Sequence, residues 1–213
     1  MTLEPTLPLL ENLYWITLLA VFFSSASAVL KAGGKQFDLF GVVIIAITTG
    51  LGGGSLRDML LDRDVFWIKD QIFFIASLSG AISLFIAARF CSLSPKYFLL
   101  ADSAGLATFA IAGTLVSMLA GADPLVASFM GVMTGTMGGI FRDVICNETP
   151  VVFSSPLYAT VAWLGSLLFI GLLFMGHESG SASLIAGLTI FLSRLLAVHY
   201  NLNLPRFRFK NKP

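Results

Sequence analysis

Two stretches of this sequence put charges where an apolar helix should carry none. Arg57 and Asp58 follow Thr48-Thr49-Gly50-Leu51-Gly52-Gly53-Gly54-Ser55-Leu56. Arg142 and Asp143 follow Thr134-Gly135-Thr136-Met137-Gly138-Gly139-Ile140-Phe141. Both stretches lie in segments apolar enough to cross a bilayer, where ionisable side chains are rare and mark ion or substrate paths. Each glycine costs about 1 kcal/mol relative to alanine inside a helix, so the clusters predict broken helices. At a break, carbonyls and amides lose their partners and must face protein or water rather than lipid. Such carbonyls, the negative end of a half-helix dipole and the threonine hydroxyls suit a partly dehydrated cation. The pore or ion-binding candidates are therefore Thr48, Thr49, Gly50, Gly52, Gly53, Gly54, Thr134, Gly135, Thr136, Gly138 and Gly139. The competing explanation is that the glycines only let two helices cross closely.

Arg57, Asp58, Arg142 and Asp143 are expected as vestibule or gating charges, one pair near each membrane face. Neighbouring residues do not face each other on a helix. Each is therefore expected to pair with another helix or to cap a half-helix end, a role that competes with direct ion contact. Asp102 and Arg194 are the other charges within spans, and an intramembrane pair between them is expected, against snorkelling of Arg194 to the headgroups.

These residues recur at a fixed offset of 85 positions, and self-similarity of this kind identifies a repeated structural unit. Asp38 matches Asp123, Thr49 matches Thr134, Gly53-Gly54 matches Gly138-Gly139, Arg57-Asp58 matches Arg142-Asp143, and Gly80 matches Gly165. The elements that must position them are membrane helices. Of 213 residues 56% are hydrophobic and 12% charged, with mean hydropathy +0.87, against about a quarter charged in soluble domains. Spans of about 20 residues are expected near 13–30, 37–61, 71–90, 97–119, 124–146, 154–175 and 181–198. Asp123 is expected as the N-cap before Pro124. The unit is three helices used twice. Three being odd, the second copy enters the membrane inverted, an arrangement that places sites at the repeat interface.

The expected fold is thus an all-α membrane protein, one integral domain over 1–213. It has repeats at about 11–92 and 96–176, a seventh helix at about 181–200, a basic tail at 201–213, and broken second and fifth helices. Residues 13–29 end in Ala26-Ser27-Ala28 but lack a preceding positive charge, so they read as a retained helix rather than a signal peptide. Lys and Arg divide ten to three between the two sides, which puts the C-terminus in the cytoplasm and the N-terminus outside. Cys91 and Cys146 then lie near the inner face as free thiols. Trp15, Trp67, Tyr97 and Tyr200 sit where interfacial anchors would. No cofactor, structural metal site or nucleic-acid partner is expected, and no residue set suggests an enzyme.

The doubled motif, Gly52-Gly53-Gly54-Ser55-Leu56-Arg57-Asp58 with Asp64-Val65-Phe66-Trp67 and Gly138-Gly139-Ile140-Phe141-Arg142-Asp143 with Val151-Val152-Phe153, resembles the trimeric intracellular cation channel family in its prokaryotic branch. That branch overlaps proteins described as duplicated glycine-transporter domains. The resemblance implies a homotrimer in the prokaryotic inner membrane, in contact with membrane lipid. It also implies a pore for K+ and Na+ within each protomer, lined by the second and fifth helices. The alternative function is secondary transport of glycine or a similar small zwitterion, held by the positive ends of the second half-helices.

Overall fold

The computed structural model describes residues 7–90 and 95–204. Cys91 and the basic tail residues Arg206, Arg208, Lys210 and Lys212 lie outside the described residues. Nine helices appear among the described residues: α1 (Leu7–Ala32), α2 (Leu39–Leu60), α3 (Phe66–Lys69), α4 (Gln71–Phe90), α5 (Pro95–Leu119), α6 (Pro124–Ile145), α7 (Val151–Ser154), α8 (Ala159–Phe174) and α9 (Ser179–His199). Six of them are long and apolar enough to span a membrane, and α8, with 16 residues, is a shorter apolar helix. No strand occurs among the described residues.

The packing groups the long helices by threes. α1, α2 and α4 pack on one another, and so do α5, α6 and α8, while α9 lies against α5 and α8. α5 is the axis of the molecule, with 72% of its apolar stretch inside, against 22% for α4 at the periphery. The large apolar cluster around Leu106, Ile111, Leu115, Phe169 and Ile190 joins α5 to α8 and α9.

The expected breaks in the second and fifth helices are absent. α2 and α6 each run as one helix through their glycines. Energetics explain the difference. A backbone group left unpaired in an apolar medium costs several kcal/mol, whereas each helical glycine costs only about 1 kcal/mol, so the ladder stays closed. The glycines act instead at the α2–α6 crossing. A Cβ on Gly53 would collide with the carbonyl oxygen of Thr134, and a Cβ on Gly138 with that of Thr49. The two contacts are related by the 85-residue offset, so each copy supplies the flat surface on which the other's backbone rests.

Helix starts follow local chemistry. Asp38 caps α2 by accepting from the Gly41 amide at 2.7 Å. Its counterpart Asp123 occupies the N-cap of α6 but makes no side-chain capping bond, so Pro124, with no amide to satisfy, starts that helix unaided. The sixth span begins at Ala159 rather than near 154. Pro156 disfavours helical backbone at the preceding residue, and Ser155 is accordingly extended, with φ −102° and ψ 150°. The short helices α3 and α7, 85 positions apart at their first residues, were not apparent from periodicity.

Candidate functional site

α2 and α6 each end in a fully buried Arg–Asp pair. Contrary to expectation, each arginine bonds its own neighbour. Arg57 donates from Nε (2.9 Å) and Nη2 (2.7 Å) to Asp58 Oδ1, and Arg142 Nε donates to Asp143 Oδ1 at 2.8 Å. Adjacent residues point about 100° apart on a helix. The long guanidinium arm nevertheless folds back, because in a dry interior the nearest carboxylate offsets its desolvation. With α2 and α6 unbroken there are no half-helix ends to cap, and the aspartates instead hold the start of the next short helix. Asp58 Oδ2 accepts from the Phe66 amide at 3.0 Å, and Asp143 Oδ2 from the Val151 amide at 2.8 Å. Each aspartate thus holds an arginine with one oxygen and the start of the following short helix with the other. The chain reverses identically after both helices, with left-handed Asp62 (φ 50°) and Asn147 (φ 54°) at matching places.

The two sites differ in what completes them. Arg142 Nη1 donates to Asp102 at 2.7 Å and to Ser27 at 2.9 Å, and its guanidinium lies 4.8 Å from the centroid of the Phe98 ring. Asp102 therefore pairs with Arg142, not with Arg194. Arg194 does not snorkel either. It is 1% exposed, donates to Ser155 Oγ at 2.6 Å and to the Pro156 carbonyl, and stacks over Tyr158. The kink before α8 leaves a carbonyl without a helical partner, and Arg194 satisfies it.

Between α1, α2, α5 and α6 lies a small polar cavity of about 10 Å³, room for about one water. Its walls include Ser24, Thr49, Asp102, Thr134, Arg142 and Tyr158, with Gly135, Gly138 and Gly139. Thr48, Gly50, Gly52, Gly53, Gly54 and Thr136 do not border it. Gly50 packs against Ser25, Gly52 against Phe141 and Gly54 against Phe66. All four threonines donate to carbonyls of their own helix: Thr48 to Ile44 (2.8 Å), Thr49 to Ile45 (2.6 Å), Thr134 to Met130 (2.7 Å) and Thr136 to Met133 (3.5 Å). The cavity threonines consequently present lone pairs, which suits a cation or a water proton.

Beyond Arg57 and Asp58 the molecule opens into a vestibule of about 560 Å³ edged by Tyr14, Thr17, Asp62 and Arg63. Beyond Arg142 and Asp143 the corresponding space is bridged. Glu148 binds Lys31 at 2.5 Å and Lys35 at 3.1 Å, and Phe98 lies between Lys31 and Arg142. The hydrogen bonds from Lys31 and Lys35 hold the Glu148 carboxyl below its usual range. Trp15, Tyr97 and Tyr200 are more than half exposed, as anchors should be. Trp67 instead donates to Ser55 Oγ at 2.8 Å and ties α3 to α2.

Sequence reasoning missed Ser24, Ser27, Phe98, Tyr158 and Glu148. A signal was present for Ser24 and Ser27, as a cluster of hydroxyls in the middle of an apolar span.

Fold and site together define a polytopic helical membrane protein built around two matched buried ion-pair centres. Comparison with known proteins is more specific. The glycine transporter family model matches residues 14–89 and 99–173. The chain is 34% identical over 197 residues to the UPF0126 inner membrane protein YadS of Escherichia coli K12, spanning 91% of this chain and 95% of that one. It is 38% identical over 168 residues to a UPF0126 membrane protein of Deinococcus radiodurans, spanning 78% of each. Among solved structures it is similar to the TRIC trimeric intracellular cation channel orthologue from Rhodobacter sphaeroides, with TM-score 0.84 and 32% identity over 89% of this chain and 98% of the other. A prokaryotic TRIC channel crystallised in 0.5 M KCl gives TM-score 0.81 and 28% identity over 90% and 98%. The chain belongs to the trimeric intracellular cation channel family, in the prokaryotic branch that the glycine transporter model also describes.

Proposed function

We propose that this protein is a monovalent cation channel, passing K+ and Na+ through each protomer of a homotrimer in the prokaryotic inner membrane. Its similarity to TRIC cation channels supports the reading. The observation that carries it is the small polar cavity at the α2–α6 crossing, whose lining includes Thr49, Thr134 and Asp102. The path descends from the outer vestibule past Arg57 and Asp58, crosses between the two glycine contacts, and leaves past Arg142 and Asp143. Two inverted three-helix units, α1–α2–α4 and α5–α6–α8, flank it, and α9 completes a seven-span domain with the N-terminus outside and the C-terminus cytoplasmic. With backbone resting on backbone at the crossing, the conformation described is a closed one, and conduction requires α2 and α6 to separate.

A second reading is secondary transport of glycine or a similar zwitterion. The vestibule favours it by holding both signs of charge, Arg63 and Asp62, at one opening. Purified protein in planar bilayers decides between the two. Unitary currents whose reversal potential in a KCl gradient follows K+ rather than Cl− support the channel. Glycine counterflow in liposomes without unitary currents overturns it.

A further inference from the structure

The two Arg–Asp centres share the bond from arginine Nε to the neighbouring aspartate and the bond from that aspartate to the next short helix, and differ in what else the arginine meets. At the inner centre Arg142 touches two carboxylates, Asp143 on its own helix and Asp102 on α5. At the outer centre Arg57 touches one, and all its hydrogen bonds end on a single oxygen of Asp58. The position 85 residues before Asp102 is Thr17, on α1, which borders the vestibule together with Arg57. Thr17 turns its hydroxyl back to the Leu13 carbonyl at 2.8 Å. Arg57, 2% exposed, keeps its Nη1 without a partner among the described residues; Arg142 likewise leaves Nη2 unpartnered, so the difference between the centres is the second carboxylate and not the free nitrogen. Arg63 lines the same vestibule and adds a second positive charge to it. The nearby negative charges are otherwise engaged or solvated: Asp64 pairs with Lys69 at 2.6 Å, and Asp62 stands exposed at the rim.

A buried guanidinium beside one carboxylate and one like charge attracts another anion, because an uncompensated buried charge is costly. The planar fork of arginine selects carboxylates in particular. We infer that the outer vestibule binds a small carboxylate against Arg57 and Arg63, the bound group standing where Asp102 stands in the inner centre. The vestibule, at about 560 Å³, takes a ligand of acetate or amino-acid size with its water. The site does not depend on whether the protein conducts cations or carries a zwitterion. In a channel the bound anion would make the outer mouth more negative and favour cation entry.

The test is equilibrium binding of radiolabelled acetate to the purified full-length protein in detergent, at fixed ionic strength in sodium chloride. Saturable binding displaced by unlabelled acetate or glycine is expected. Thr17→Asp supplies the missing carboxylate from within and should weaken acetate binding at least about tenfold, in the range of a charge-assisted pair. Thr17→Asn, of the same shape as the aspartate without the charge, should weaken binding less than Thr17→Asp does, and equal weakening by the two overturns the inference. Arg63→Gln, at an exposed position whose one long contact is a 3.5 Å hydrogen bond to the Val116 carbonyl, should weaken binding about threefold, with the unfolding midpoint measured beside it to show that the fold is kept. Absence of saturable acetate binding to the wild type overturns the inference. So does acetate affinity unchanged by either Thr17→Asp or Arg63→Gln. Displacement by inorganic phosphate at a tenth of the acetate concentration overturns the carboxylate assignment.

Discussion

Replacing Gly138 by alanine tests the crossing on which the architecture turns. The new Cβ meets the Thr49 carbonyl oxygen and its carbon, both backbone, so no side-chain rotation can relieve the clash. Overpacking of this kind costs about 1–3 kcal/mol, and a backbone-on-backbone clash belongs at the upper end. Alanine returns about 1 kcal/mol of helix propensity. A net loss of about 2 kcal/mol is expected. Gly53→Ala should behave alike, since its Cβ meets the Thr134 carbonyl. Because both substitutions push the same two helices apart, the double variant should cost less than the sum, about 3 kcal/mol rather than 4. Gly187 provides the control. It lies within α9, and a methyl group added there would meet nothing within 4 Å, so Gly187→Ala should be neutral or stabilise by up to about 1 kcal/mol. Reversible unfolding in mixed detergent micelles, followed by helical circular dichroism, reads all four. Gly138→Ala as stable as the wild type, or strict additivity in the double variant, would refute the close crossing.

The inner centre yields two further expectations. Asp102→Asn keeps the shape but removes the second carboxylate from Arg142, 2.7 Å away. It should cost about 3 kcal/mol in the same unfolding assay, and an unchanged midpoint would mean that Asp102 does not stabilise Arg142. Glu148 has a folded pKa below its ordinary value because of Lys31 and Lys35. Its contribution is therefore fully present above the usual glutamate pKa of about 4.3 and disappears as pH falls through the lower folded value. As the Glu148 side chain is about a third exposed, the amount is at most about 1 kcal/mol. Glu148→Gln should remove that pH-dependent part of the unfolding curve, and an identical pH profile would contradict it.

Much of the site was legible because charges and glycines in apolar segments are rare enough for an 85-residue recurrence to stand out. Asp58 and Asp143 carry their capping role in their spacing to Phe66 and Val151. What the glycines do was not legible from one stretch of sequence. Whether a glycine-rich helix opens or is crossed depends on its neighbour, and Gly53 acquires meaning only beside Thr134. The partner of Asp102 was missed for a related reason. Burial and depth suggested Arg194, but Pro156 frees a carbonyl that claims that side chain, leaving Asp102 to Arg142. The pairing of Arg57 with Asp58 was hidden by helix geometry, which describes Cβ directions and not the reach of a long side chain.

On the proposed path, ions pass between α2 and α6, beside Thr49 and Thr134. The direct measurement is the current through Thr134→Cys in a background lacking Cys91 and Cys146, before and after a cationic methanethiosulfonate reagent. Thr134 borders the polar cavity and is 1% exposed, so the thiol is reached only when the path opens. Irreversible block is expected to develop during conduction and not to develop when the reagent is left out. Protein shown by mass spectrometry to be modified at Thr134→Cys and still conducting at the original level would contradict it.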